Sequence, residues 1–408
     1  MASTIQRVSF PGSQGTDLAA RLDMPAGPAT AYALFAHCFT CSKDVFAASR
    51  IAAGLTDAGI AVLRFDFTGL GASDGEFANS NFSSNLEDLR RAAGWLEANH
   101  RAPQLLIGHS LGGAAVLAVA SQIPSVRAVA TIAAPSSARH VEALLGDALA
   151  TIEADGEAEI HLAGRPFRIR RQFVEDLRGI DLLDRVATMH RALLVLHSPV
   201  DQVVGVEHAG LIYSAARHPK SFVALDGADH LLTARADATF ASRMIAAWAE
   251  RYVVNETAAA PAPAATAQVV VGETTQGLYL NHVVAGRHRF LADEPESVGG
   301  FDAGPSPYDL LSAALGACTS MTLRMYAERR KVPLARVVVE VNHDKVHADD
   351  CAECSDGRTG LVDQFRRTIH LEGDLLDSQR DKLLEIADKC PVHRTLEASS
   401  SIVTTLAP

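Results

Sequence analysis

Short runs of consecutive apolar residues, separated by amphipathic stretches, set the rhythm of the first 250 or so positions. The runs are Ala31–Ala36, Ile60–Phe65, Leu105–Ile107, Ala128–Ala133, Leu193–Leu196 and Ser221–Leu225. Unbroken apolar runs, as opposed to alternating ones, describe strands buried on both faces, and such strands need helices to cover them. Their alternation with helical patterns predicts a doubly wound α/β fold with a parallel sheet. The rhythm breaks between about 135 and 190, where IHLAGRPFRIRRQF predicts a hairpin turning at Gly164 and Arg165, so this stretch is assigned to a small cap. Residues 253–267 hold an alanine and proline tract with no apolar periodicity, which reads as a semi-rigid linker. Beyond it the order strands, long helix, strands, helix describes an α+β domain over 268–408, after a first domain over 1–252.

A chain of 408 residues is long enough for two or three cores. Its net charge of −11 opposes binding to nucleic acid or to an anionic membrane surface, both of which require a basic face. The N-terminus lacks a basic start followed by an apolar core, and no run approaches the roughly 18 apolar residues of a membrane span. The expectation is a cytoplasmic protein acting on small molecules. Six cysteines are too few for a secreted disulfide scaffold of this length, which leaves thiols, metal ligands or redox centres.

The first chemistry lies at LLIGHSLGG, residues 105–113, where Gly108-His109-Ser110-Leu111-Gly112 follows an apolar run and precedes a helix of small residues. This is the G-x-S-x-G elbow, whose tight strand-to-helix turn exposes a serine nucleophile and needs glycine two residues to either side. Serine requires a histidine base, and the histidine requires a carboxylate. His230, in DGADHLL, and Asp201, in SPVDQVV, both follow predicted strands. Asp226 and Asp229 are rival acids on the histidine's own loop; Asp201, from a separate strand end, is preferred. Two backbone N–H groups must hold the developing oxyanion. Leu111 supplies one, and Phe39, in the turn AHCFTCSKD, is the candidate for the other.

With these motifs in order, residues 1 to about 252 resemble the α/β-hydrolase superfamily, and RFDFTGLGASDG at 64–75 is similar to its second loop signature. The resemblance implies a serine esterase or acyl hydrolase acting on an ester or thioester, with no cofactor. One departure is Cys38 and Cys41, where the family commonly has glycine. A Cys-x-x-Cys pair here is a redox pair, half a metal site, or two small residues filling glycine-like space.

In the second domain, Leu311, Leu315, Cys318, Thr322 and Met325 recur at helical spacing along 305–331, which predicts a core-facing stripe that includes Cys318. Cys390 ends another helical pattern, with Leu383, Ile386 and Ala387 on its side. PYDLLSAALGACTSMTLRMYA and ADKCPVHRTLEA resemble the two cysteine segments of the OsmC family, over about 268–408. The resemblance implies that Cys318 is the thiolate attacked by an organic hydroperoxide, that Cys390 resolves the product into a disulfide, and that the domain forms a homodimer. Lowering the thiol pKa calls for nearby positive charge, with Arg287, Arg289, His393 and Arg394 as candidates. Tyr308 departs from the glutamate that peroxidase members carry ten residues before the first cysteine, so a second reading makes this domain a non-catalytic dimerisation, binding or redox-sensing module. Between two β-like runs, Arg336–Lys345 and Val362–Leu371, His343, His347, Cys351 and Cys354 offer a zinc-like ligand set, against a plain polar hairpin.

Overall fold

In the computed structural model, the structure describes residues 4–38, 41–162, 165–253, 262–347, 360–398 and 400–406. The chain divides into two compact units, 1–261 and 262–408.

The first unit opens with β1 (Thr4–Pro11), β2 (Asp17–Met24), β3 (Ala31–Ala36), α1 (Phe46–Asp57) and β4 (Ile60–Phe65), followed by α2 (Phe82–Asn99), β5 (Leu105–His109), α3 (Leu111–Val119) and β6 (Ala128–Ile132). Next come α4 (Glu142–Leu145), α5 (Ala148–Asp155), the hairpin β7 (Glu157–Leu162) and β8 (Arg165–Arg170), α6 (Arg171–Arg178) and α7 (Leu182–Thr188). The unit closes with β9 (Ala192–His197), α8 (Val206–Ala215), β10 (Lys220–Ala224) and α9 (Arg235–Ala249). Eight strands form one sheet in the order β1-β2-β4-β3-β5-β6-β9-β10. The six strands read from the apolar runs pair in parallel; five of them are buried at every position, and β10, at the edge, is partly buried. The first two strands add an antiparallel edge that the run-based reading missed, because β1 is exposed along most of its length and β2 alternates in burial, so neither leaves a continuous apolar signal.

Each face of the sheet has its own core. On one side Ile51, Leu55 and Ile245 from α1 and α9 meet Phe35, Val62, Ile107 and Leu194. On the other, Leu89 of α2 and Val116 of α3 meet Leu34, Leu63 and Leu106. The cap segment joins this second core through Ile152, Ile160, Ile169, Phe173 and Leu177, so it is packed as part of the domain. Asp176 accepts from the Ser83 N–H at 2.7 Å and the Ser83 hydroxyl at 2.6 Å, tying the cap to the start of α2. Gly164, one of the two predicted turn residues, lies outside the described residues; the strands flanking it pair from Leu162 with Arg165 onward.

In the second unit β11 (Val269–Glu273), β12 (Asn281–Ala285) and β13 (His288–Ala292) form an antiparallel sheet. There follow α10 (Pro307–Arg330), the long pair β14 (Leu334–His347) and β15 (Leu361–Gly373), α11 (Asp377–Ala387) and α12 (Pro391–Glu397). Helix α10 starts where its sequence says it should: Ser306 and Asp309 form a reciprocal capping box and Pro307 occupies the first turn. The predicted core stripe on this helix holds at Leu315 and is displaced by one position beyond it. The buried line is Leu315, Thr319, Leu323 and Ala327, whereas Leu311 is 42% and Met325 73% exposed and Cys318 is partly buried. The spacing of four follows the row that faces α11 and the β14–β15 pair, where Leu334, Leu383 and Ala387 close the core. Among the described residues no helix is long and apolar enough to cross a membrane.

Candidate active site

Ser110 stands between β5 and α3 with φ of 55°, a conformation that costs a non-glycine residue energy and persists only where the surroundings enforce it. The enforcement comes from close backbone packing. A Cβ on Gly108 would lie 2.3 Å from the Gly112 carbonyl oxygen, and one on Gly112 would lie 2.4 Å from both the Ala36 and His37 oxygens. These two glycines let α3 start against the end of β3, which puts the serine at the carboxyl edge of the sheet.

The base and acid arrive from loops beyond β10 and β9. His230 Nε2 lies 3.0 Å from Ser110 Oγ, and its Nδ1 lies 2.8 Å from Asp201 Oδ2. The other Asp201 oxygen accepts from the Val203 and Val204 N–H groups at 2.8 and 3.0 Å. Burial works to raise the Asp201 carboxyl, but the hydrogen bonds from His230, Val204 and Val203 outweigh it and hold it below the usual carboxylate range. Asp229, a rival acid, is engaged by the Thr233 N–H at 2.8 Å and hydroxyl at 2.5 Å. This arrangement is competent to move a proton from a serine hydroxyl to an imidazole that an ionised carboxylate steadies.

Leu111 is the first residue of α3, where a helix leaves its N–H groups without internal partners, so its N–H is available beside Ser110. Phe39, the other expected oxyanion donor, lies outside the described residues. The residues around it are closely held. Cys38 and Cys41 form a disulfide, which sets aside the metal half-site among the three readings of that pair. His37 is buried and donates from Nδ1 to the Cys38 carbonyl at 2.7 Å, while its Nε2 accepts from the Phe67 N–H at 3.4 Å. Burial lowers the His37 pKa and favours the neutral ring that this pattern needs.

Just after the disulfide, buried Asp66 accepts from both the Lys43 N–H and the Lys43 ammonium at 2.6 Å, and from the Ala72 N–H at 2.9 Å. Arg64, paired with both Asp23 oxygens at 2.7 and 3.0 Å, donates to the Lys43 carbonyl. The RFDF segment was legible as a loop signature, but not this role of Asp66, because its partner Lys43 is 23 residues upstream. Asp66→Ala would strand a buried ammonium and two N–H groups. It is expected to destabilise the first unit by about 3–5 kcal/mol, read as an earlier urea midpoint, and an unchanged midpoint would contradict the clamp.

In the second unit, α10 and the end of α11 bring Cys318 and Cys390 together as free thiols. Cys390 is fully buried, three residues past α11 and at the head of α12. Burial pushes its thiol up, but hydrogen bonds from Cys318, the His393 N–H, Thr319 and the Val392 N–H overcome it and leave the thiol below its ordinary value. Among the described residues, no side-chain contact links any of the four basic candidates to either cysteine. Arg287 and Arg289 are exposed on the β12–β13 hairpin, His393 contributes its backbone and pairs its ring with Glu397 at 3.1 Å, and no contact to either cysteine involves the Arg394 guanidinium among the described residues. Among the described residues a cation that reaches this region is Arg367 on β15, which donates to the Thr319 hydroxyl at 2.8 Å, the Ala387 carbonyl at 3.2 Å and Asp388 at 2.7 Å. Sequence reasoning missed it because its strand carries many polar side chains and nothing local marks this one as inward.

Tyr308 stacks on His343, with ring centroids 4.1 Å apart and planes 7° from parallel. His343 in turn bonds Asp363 at 2.9 Å. That engagement gives His343 a role in the hairpin, and among the described residues no metal-ligating cluster is present. Cys351 and Cys354 lie outside the described residues.

These two sites sit in recognisable families. Residues 28–154 match the family described as serine aminopeptidase, S33, and residues 300–405 match that described as OsmC-like protein. The chain belongs to the α/β hydrolases through its first unit and carries an OsmC-like α+β domain in its second. The esterase domain of a Rhodothermus marinus protein is 55% identical, covers 61% of this chain and 99% of its own, and superposes with a TM-score of 0.52. The α/β hydrolase GrgF of Penicillium, 21% identical over 61% of this chain and 99% of its own with a TM-score of 0.51, shares the fold. Two uncharacterised Mycobacterium tuberculosis proteins are 26% identical over 185 residues, 45% of this chain and 57% of theirs. The chain thus spans little more than half the length of these curated relatives.

Proposed function

We propose that the first unit is a serine esterase. Ser110 attacks the acyl carbon while His230 takes its proton; the collapsing intermediate then expels the alcohol or thiol, protonated by His230, and water repeats the cycle on the acyl-enzyme. Asp201 stays ionised, holds the imidazole with Nδ1–H toward it, and stabilises the imidazolium. The amides of Leu111 and Phe39 take the oxyanion. The observation that carries this reading is the continuous line from Ser110 Oγ through His230 to Asp201, at 3.0 and 2.8 Å. The 55% identity to an esterase domain adds support for the bond class. A fluorophosphonate ester is expected to label the intact protein at one site, found by peptide mass spectrometry at Ser110, with p-nitrophenyl acetate hydrolysis lost in parallel. Labelling elsewhere, or full hydrolysis after labelling, would overturn the assignment.

For the second unit the reading is thiol-dependent reduction of organic hydroperoxides. Cys318, the more accessible thiol, attacks the terminal peroxide oxygen as thiolate, giving Cys318 sulfenic acid and the alcohol. Cys390 displaces hydroxide from the sulfenic sulfur, forming a disulfide and water after proton uptake, and a dithiol reductant returns two electrons. What supports it is the hydrogen bond between the two cysteines, with Cys318 partly buried and Cys390 fully buried behind it. On this reading the protein is bifunctional, acts on small molecules and forms a homodimer through its OsmC-like domain.

A further inference from the structure

The residue between the elbow glycine and the nucleophile is a histidine with an unusual setting. His109 ends β5, is 2% exposed, and its Nε2 lies 2.7 Å from the His230 carbonyl oxygen. A carbonyl only accepts, so Nε2 carries the hydrogen and the neutral ring leaves Nδ1 bare. That nitrogen is buried and has no hydrogen-bond partner among the described residues. Burial, and the nearby His230 charge, depress the ring's pKa to about 4, so His109 is neutral wherever an esterase of this kind works. Its ring lies tilted against that of His230, with centroids 5.4 Å apart.

The sheet explains why such a contact matters. The nucleophile's strand β5 is buried at every position, but β10, which delivers the base, is the edge strand three places away and is only partly buried along its length. The loop beyond β10 combines short-range bonds, such as Ala228 N–H to Leu225 O at 3.1 Å and Leu232 N–H to Asp229 O at 3.1 Å, with anchors at its two ends, where the Leu225 N–H donates to the His197 carbonyl at 2.9 Å and the Arg50 guanidinium to the Thr233 carbonyl at 3.0 Å. These shape the loop and tie its ends to α1 and β9, and among the described residues the contact that joins the His230 backbone to the nucleophile's own strand is the one from His109.

We infer that His109 is a positioning residue for the hydrolytic reaction: through its Nε2–H bond to the His230 carbonyl it braces the backbone of the general base against the strand that carries the nucleophile. This rests on the serine-esterase reading. The brace leaves the imidazole's own nitrogens free for Ser110 and Asp201, and because His109 stays uncharged it adds no positive charge beside the imidazolium that forms during acyl transfer.

The test exploits the asymmetry of the ring. In His109→Gln the side-chain amide nitrogen falls near the position of Nε2 and keeps the donor, whereas in His109→Asn it falls near Nδ1 and cannot reach the carbonyl. With p-nitrophenyl acetate, His109→Gln is expected to keep most of the wild-type kcat. His109→Asn is expected to lose about 100-fold in kcat with little change in KM, because a base displaced by an ångström is misaligned for proton transfer but not for substrate binding. Fluorophosphonate labelling of Ser110 should slow in the Asn variant alone. Equal kcat in the two variants, or a loss carried by KM, would overturn the brace. A wild-type protein with neither hydrolysis nor labelling would remove the esterase reading and the brace with it, whereas robust wild-type turnover with an unimpaired Asn variant would remove only the brace.

Discussion

Ser110→Ala is expected to abolish ester hydrolysis, with kcat falling by about 10⁶-fold while p-nitrophenyl acetate still binds. The size follows from the chemistry. Without a covalent nucleophile, His230 and Asp201 have no acyl acceptor to activate, and what remains is the modest assistance that oxyanion donors give to direct attack by water. The local structure should survive the change, since Ser110 is held at φ 55° by backbone packing at Gly108 and Gly112 rather than by its hydroxyl. Alanine keeps the same Cβ, so circular dichroism and the unfolding midpoint should match wild type. Stopped assays with purified variant protein read the loss directly. Hydrolysis at more than a hundredth of the wild-type rate would mean that another residue is the nucleophile.

Cys318→Ser is expected to bring consumption of cumene hydroperoxide, with a dithiol reductant present, down to the uncatalysed background. Serine cannot ionise near neutral pH, so the sulfur that accepts oxygen is gone even though Cys390 keeps its hydrogen-bond donors from the His393 and Val392 N–H groups. Cys390→Ser should behave differently: without the dithiol it consumes one equivalent of peroxide per chain and stalls with Cys318 as sulfenic acid, or consumes two where oxidation runs on to the sulfinic acid. Intact-mass analysis distinguishes the two as no added oxygen against one or two. The position of Tyr308 sharpens this test. It lies ten residues before Cys318 on the same helix, about 15 Å along the axis, and its ring is engaged with His343. Within one chain it therefore cannot stand in for an acid beside the thiol. If Cys318→Ser consumed peroxide as fast as wild type, the OsmC-like domain would be a binding or structural module, and its cysteines packing residues.

Much of the first unit was legible because the signals were local. Six apolar runs declared a parallel sheet, and the glycines around Ser110 declared the elbow, since a strained turn admits few residue types. The preference for Asp201 over Asp226 and Asp229 rested on an expectation about strand ends, and His230 Nδ1 lies 2.8 Å from Asp201 Oδ2. The errors came where orientation depends on partners. The stripe on α10 was displaced by one position because Leu311 and Met325 look as apolar as Leu323, and only the packing of α11 and the β14–β15 pair decides which row is covered. The antiparallel strands β1 and β2 escaped notice because β1 is almost wholly exposed and β2 turns every second side chain away from the core.

By itself the sequence determined the two-domain composition, the parallel sheet, the serine elbow and the pair of cysteine helices, all of which follow from short-range periodicity and turn chemistry. Only the tertiary structure decided that Asp66 clamps Lys43 beyond the Cys38–Cys41 disulfide, that Arg367 reaches Thr319 beside the thiols, and that His109 spans to the His230 backbone. Those contacts join residues between 23 and 121 positions apart, and each depends on which way a side chain points once its strand is seated. A pattern along the chain carries periodicity, but the meeting of two distant polar groups exists only after the sheet has brought their strand ends to one edge.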